Sequence, residues 1–135
     1  MSAAPILVGF VDSPEGQAAL DAAVEQAHLT GAPMIVVASH KGGAALASPE
    51  ALALEKLLAK VRGQLAEAGV EFDVRALVRG NDVSEDLVDL AVEHHARLIV
   101  IGLRKRSPVG KLILGSNSQQ ILLEAPCAVL AVKAR

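Results

Sequence analysis

Four short runs of almost uninterrupted apolar residues punctuate the chain: Pro5 to Val11 (PILVGFV), Met34 to Ser39 (MIVVAS), Leu98 to Ile101 (LIVI) and Pro126 to Val132 (PCAVLAV). A strand with one wet face alternates apolar and polar residues; a continuous run is a strand covered on both faces. A fifth run, Val70 to Val78 (VEFDVRALV), alternates at its start and fits a half-exposed strand nearer the sheet edge. Between these runs lie segments with helical spacing, so the order is β-α-β-α-β-α-β-α-β. Strands that alternate with helices form a parallel sheet joined by right-handed crossovers. Aromatic residues are only 1% of the chain against 52% hydrophobic, so the core must be Val, Ile, Leu and Ala. Residues 1–135 read as one α/β domain with helices on both faces of the sheet.

The helix boundaries carry their own signals. Ser13 is placed as an N-cap, with Pro14 at the first helical position and Glu15 favouring the dipole. This helix runs to about Leu29, with Ala19, Leu20, Ala23, Val24 and Ala27 in one stripe, and Gly31-Ala32-Pro33 ends it. Ser48-Pro49-Glu50 repeats the start pattern, and Leu54, Leu57, Leu58, Val61 and Leu65 mark the buried stripe up to Gly69. His40 to Ser48, rich in Gly and Ala, reads as a loop. Asp82-x-x-Glu85 and Ser116-x-x-Gln119 both read as capping boxes. The first of them opens a helix with Val83, Leu87, Leu90, Ala91 and His94 on one face.

Several function classes find no support. The net charge is −2 with a pI near 6.1, so no general affinity for nucleic acid is expected. Met1 to Pro5 has no basic or apolar leader character, and no apolar run reaches the ~18–20 residues of a membrane span. A cytoplasmic protein without membrane contact is the expectation. Cys127 is the single cysteine, which excludes an intrachain disulfide, and it reads as a buried small residue. His94 and His95 diverge by about 100° on a helix and cannot share a metal ion without partners. His28 and His40 read as surface residues. No nucleophile–base pair is visible, so neither catalytic residues nor a metal site are assigned.

The chemistry concentrates in Leu98 to Leu122 (LIVIGLRKRSPVGKLILGSNSQQIL). A buried strand ends there, a loop from Gly102 to Gly115 carries Arg104, Lys105, Arg106 and Lys111, and a helix begins at Ser116. A helix N-terminus exposes unpaired N–H groups and favours negative charge. In a parallel sheet, ligands bind outside the carboxyl ends of the strands where strand order reverses. The first and fourth strands are the expected neighbours of that crevice, with Asp12-Ser13 and Gly102-Leu103-Arg104 at their ends. Two readings stand: a site for a phosphate-bearing ligand, or a solvated basic turn that ends in an ordinary cap.

On these residues the chain resembles the universal stress protein family, of the adenine nucleotide alpha-hydrolase-like superfamily. The family's nucleotide motif is Gly-x2-Gly-x9-Gly-Ser/Thr. Here it reads Gly102, Lys105 in place of the second glycine, then Gly115-Ser116, with Ser118 as a further hydroxyl; PCAVLAV resembles the family's last strand. The resemblance implies a Rossmann-like open five-stranded parallel sheet in the order 3-2-1-4-5. It implies a homodimer paired through Ala128 to Val132, and ATP, with Mg²⁺, as the possible ligand. The candidate nucleotide-binding residues are Asp12, Ser39, Gly102, Arg104, Lys105, Gly115, Ser116, Asn117 and Ser118, with Ser39 near the adenine and Arg104 and Lys105 as cations beside a helix start. Activity would be at most slow ATP hydrolysis, the protein acting through dimerisation and protein interaction. Two positions depart from the pattern: Lys105, and Val11, which stands where ATP-binding members carry the acid of Val-Asp-Gly-Ser. They motivate the alternative of a dimeric interaction module that binds no nucleotide.

Overall fold

The computed structural model describes residues 3–39, 49–77, 83–103 and 115–134. Five strands, β1 (Ile6–Gly9), β2 (Met34–Ser39), β3 (Phe72–Leu77), β4 (Leu98–Leu103) and β5 (Ala128–Lys133), form one parallel sheet in the order β3-β2-β1-β4-β5. Four helices connect them: α1 (Pro14–Thr30), α2 (Pro49–Ala68), α3 (Val83–His94) and α4 (Ser116–Glu124). The chain leaves β1 to one side to build β2 and β3, then returns to the other side for β4 and β5. The strand order therefore reverses between β1 and β4, as the family resemblance implied.

Side-chain parity on β1 divides the core in two. Ile6, Val8 and Phe10 face the layer that holds Ala19, Leu20 and Ala23 of α1 and Leu58, Val61 and Leu65 of α2. Leu7, with Ile35, Val37, Ile99 and Ile101 of the neighbouring strands, faces Leu87, Leu90 and Ala91 of α3 and Ile121 of α4. Each fully buried Leu, Ile or Val side chain contributes about 1.5–3 kcal/mol relative to exposure. The alanine stripe of α1 removes side-chain bulk, and that helix lies against β1, β4 and β5 together.

Several local expectations hold. Ser13 caps α1, its Oγ accepting from Gly16 N at 3.1 Å, with Pro14 in the first turn. Gly31, at φ 74°, closes α1 by donating its N–H to Ala27 O at 2.8 Å. β3 lies at the sheet edge, where its alternation placed it. Exposed His28 has its Nε2 2.8 Å from Ala68 O and so ties the C-terminal ends of α1 and α2.

Other expectations need correction. β1 stops at Gly9 rather than Val11, because the chain turns into the α1 cap. β4 continues through Gly102 and Leu103, which sequence placed in the loop; β5 offers parallel partners at Val132 and Lys133. Ser116 is not the N-cap of α4: Gly115 holds that position, with Gln119 N donating to Gly115 O at 3.0 Å and no side-chain cap. Cys127 is half-buried, not fully buried, and that burial still raises its thiol pKa above the ordinary value of 9.0. Half-buried His94 has its Nε2 3.2 Å from Arg75 Nη1 on β3, a polar contact that the spacing alone did not reveal. The capping-box residue Asp82 and the loop His40 to Ser48 lie outside the described residues.

Candidate nucleotide site

A cavity of about 450 Å³ opens at the carboxyl ends of β1 and β4, at the reversal of strand order. Gly9, Val11 and Asp12 bring β1 and its following turn to the wall; Ser13, Glu15 and Gly16 add the start of α1. Ile101, Gly102 and Leu103 come from β4, Val83 and Leu87 from α3, and Gly115 to Ser118 with Ile121 from α4. Val83, Leu87, Ile101 and Ile121 give it apolar lining. The polar groups come from the two strand–helix junctions.

Close backbone approach shapes this end of the sheet. A Cβ on Gly102 would stand 2.2 Å from Glu15 O, so the absent side chain is what lets α1 start directly over β4. The same holds for Gly16, whose Cβ would meet Val11 O at 1.8 Å. The first glycine of the sequence motif thus has a packing role independent of any ligand.

The two helix starts in the cavity differ in their hydrogen bonding. α1 is capped by Ser13 and carries Glu15 in its first turn. α4 begins behind a glycine that offers no side-chain cap, and its first turn holds no acid. The N–H groups of Ser116, Asn117 and Ser118 belong to that first turn, where the helix itself supplies no acceptors. Ser116, Asn117 and Ser118 line the cavity, and the dipole at a helix start favours an anion.

Of the residues named from sequence, Asp12, Gly102, Gly115, Ser116, Asn117 and Ser118 line this one cavity. Ser39 ends β2 opposite Leu77, and its side chain lies outside the described residues. Arg104, Lys105, Arg106 and Lys111 also lie outside them. Val11, at the position where the resemblance expects an acid, is 49% exposed on the cavity wall. Among the described residues no group of three or more His, Cys, Asp or Glu side chains could hold a metal ion. No helix among them is long and apolar enough to cross a membrane.

Sequence reasoning passed over Val83, Leu87 and Ile121, whose apolar spacing marks only core. It also missed Ser84, fully buried on α3, whose Oγ lies 3.1 Å from Asn117 Oδ1 and 2.8 Å from Gln120 Oε1. Nothing in the sequence marks Ser84, because its partners stand more than thirty positions away in the chain.

A doubly wound sheet with a helix-start cavity at its crevice defines the class: an open parallel α/β protein. The chain belongs to the universal stress protein family, whose model matches residues 3–133. It is 39% identical over 128 residues to a universal stress protein of Mycolicibacterium smegmatis, covering 95% of this chain and 96% of that one. A universal stress protein of Archaeoglobus fulgidus superposes with a TM-score of 0.83 at 36% identity, covering 97% of this chain and 99% of that one. A universal stress protein structure from the same organism, in complex with dAMP, gives a TM-score of 0.81 at 30% identity over 98% of this chain and 100% of that one.

Proposed function

We propose that this protein binds an adenine nucleotide in the β1–β4 cavity, with the phosphate on the start of α4 and the base toward the end of β2. The observation that carries this reading is the uncapped first turn of α4 facing a cavity at the strand-order reversal. The dAMP complex of the Archaeoglobus fulgidus relative supports the ligand class. ATP is one candidate within that class, with Gly102, Gly115, Ser116, Asn117 and Ser118 near the phosphates and Asp12 near the ribose or its Mg²⁺. Arg104 and Lys105 follow β4 directly in sequence and would bring positive charge to the same phosphates. No water-activating base is assigned, so turnover is at most slow and the protein acts through association with other proteins.

Dimerisation through β5 is part of this reading. β5 is an edge strand with β4 as its neighbour, and an apolar edge is a pairing surface unless it is covered. Light scattering at micromolar concentration is expected to give a dimer; a stable monomer refutes that part. Calorimetry with AMP, and with ATP and Mg²⁺, tests the ligand. Saturable heat is expected, and its absence at high micromolar protein refutes nucleotide binding.

Two observations favour the second reading, a dimeric interaction module without nucleotide. Val11 puts an apolar side chain where an acid would read the sugar, and Gly102 is already explained by packing against Glu15. Lys105→Gly separates the readings. If Lys105 blocks the site, the substitution creates or strengthens ATP binding; if Lys105 pairs with phosphate, it weakens binding.

A further inference from the structure

Ser84 sits in the first turn of α3, fully buried, and it is one of two buried polar residues among those described. Its hydroxyl bridges to α4, reaching Asn117 in the first turn at 3.1 Å and Gln120, three residues on along the same helix, at 2.8 Å. A hydroxyl has one proton and two acceptor lone pairs, while each amide offers an oxygen acceptor and a nitrogen donor. Both amide oxygens stand against one hydroxyl proton, so one of the two amides must turn over for both bonds to be made. In the first sense Gln120 turns and its nitrogen donates to Ser84 Oγ while Ser84 donates to Asn117 Oδ1, which leaves Asn117 Nδ2 with both protons free. In the reverse sense Asn117 turns, spends its nitrogen on Ser84 and leaves its oxygen free.

Asn117 also lines the cavity, beside the backbone N–H groups of the α4 first turn. A phosphate accepts hydrogen bonds and offers none when ionised, so it selects the first sense. We propose that Ser84 is a positioning residue for this cavity: it holds the Asn117 amide oxygen so that Nδ2 is presented to a phosphate group as a side-chain donor. This rests on the nucleotide reading and adds to it a donor fixed from α3. It also makes α3 part of the phosphate site, although α3 supplies only apolar groups to the cavity wall.

The experiment compares AMP with adenosine, which differ by the phosphate alone, by calorimetry on Asn117→Ala, Ser84→Ala and the double variant. Asn117→Ala is expected to weaken AMP about tenfold, the range for one hydrogen bond to a charged group, and Ser84→Ala roughly threefold or more. The double variant should be no weaker than Asn117→Ala, and adenosine should change by less than about twofold throughout, since backbone and apolar contacts to the nucleoside are untouched. Losses that multiply in the double variant, or that are shared by adenosine, overturn the proposal and make Ser84 a packing residue. Should Ser84→Ala fail to fold, Asn117→Ala decides alone: unchanged AMP affinity in that exposed substitution overturns the proposal. Wild-type protein that binds neither ligand overturns the nucleotide reading itself, and this proposal with it. Wild-type protein that binds AMP, with variants that bind it equally well, overturns only the role of Ser84.

Discussion

α1 and α4 both start at the edge of the same cavity, yet only one of them is finished by its own sequence. Ser13 accepts from Gly16 N, Pro14 needs no hydrogen bond, and Glu15 faces the positive end of the dipole. α4 has Gly115 at the cap, no side-chain acceptor and no acid in its first turn. A helix start that is closed locally gains stability from its own side chains, typically ~1 kcal/mol. One left open forgoes that contribution and keeps donors for something else. The difference between the two junctions is the physical basis for placing the anion on α4 rather than α1.

The largest expected effect tests the closed side. Gly16→Ala puts a Cβ onto Val11 O, and Gly102→Ala puts one onto Glu15 O, in both cases backbone that cannot rotate away. Each should destabilise by about 3 kcal/mol or more in chemical denaturation, at or above the upper range for overpacking. A loss under about 1 kcal/mol would mean the junction of α1 with β1 and β4 is slack.

Next comes the open side. Gly115 has φ −69°, which any residue adopts, so Gly115→Asp adds a cap and a negative charge without backbone strain. Stability should hold or rise by a few tenths of a kcal/mol, while AMP affinity falls by about tenfold or more through repulsion at the helix start. Unchanged affinity in calorimetry would remove α4 as the phosphate seat.

Ser13→Ala should then cost about 1 kcal/mol in unfolding free energy, because α1 loses its cap. The smallest effect completes the contrast. Ser116→Ala should alter stability by less than about 0.5 kcal/mol, since Ser116 caps nothing, and should show itself only in ligand titration. Equal losses at Ser13 and Ser116 would erase the distinction between the two junctions.

Much of this was legible in the residues, and the failures are specific. The Ser13-Pro14-Glu15 start was readable because cap, proline and acid act within one turn. The start of α4 was misread by one residue: Ser116-x-x-Gln119 has the capping-box pattern, but the chain enters the helix at Gly115. The pattern identifies residue types, whereas the cap is set by where the incoming chain turns helical. Gly102 was read as a motif glycine near phosphate. Its contact with Glu15 O shows a second reason for glycine that depends on α1 crossing β4. The strand order came from family resemblance, not from periodicity, because apolar runs do not say which strands are neighbours.

The sequence by itself determined the alternation of strands and helices, the apolar two-sided strands and the closed start of α1. Those depend on side-chain period and on hydrogen bonds three or four residues long. Only the tertiary structure decided that Asp12, Gly102 and Gly115 to Ser118 share one cavity, that Val11 lies on its wall, and that Ser84 reaches Asn117 and Gln120. These relations join positions from separate elements. They arise when α1 packs against β4 and α3 against α4, and no local pattern encodes the distance between elements that meet only after folding.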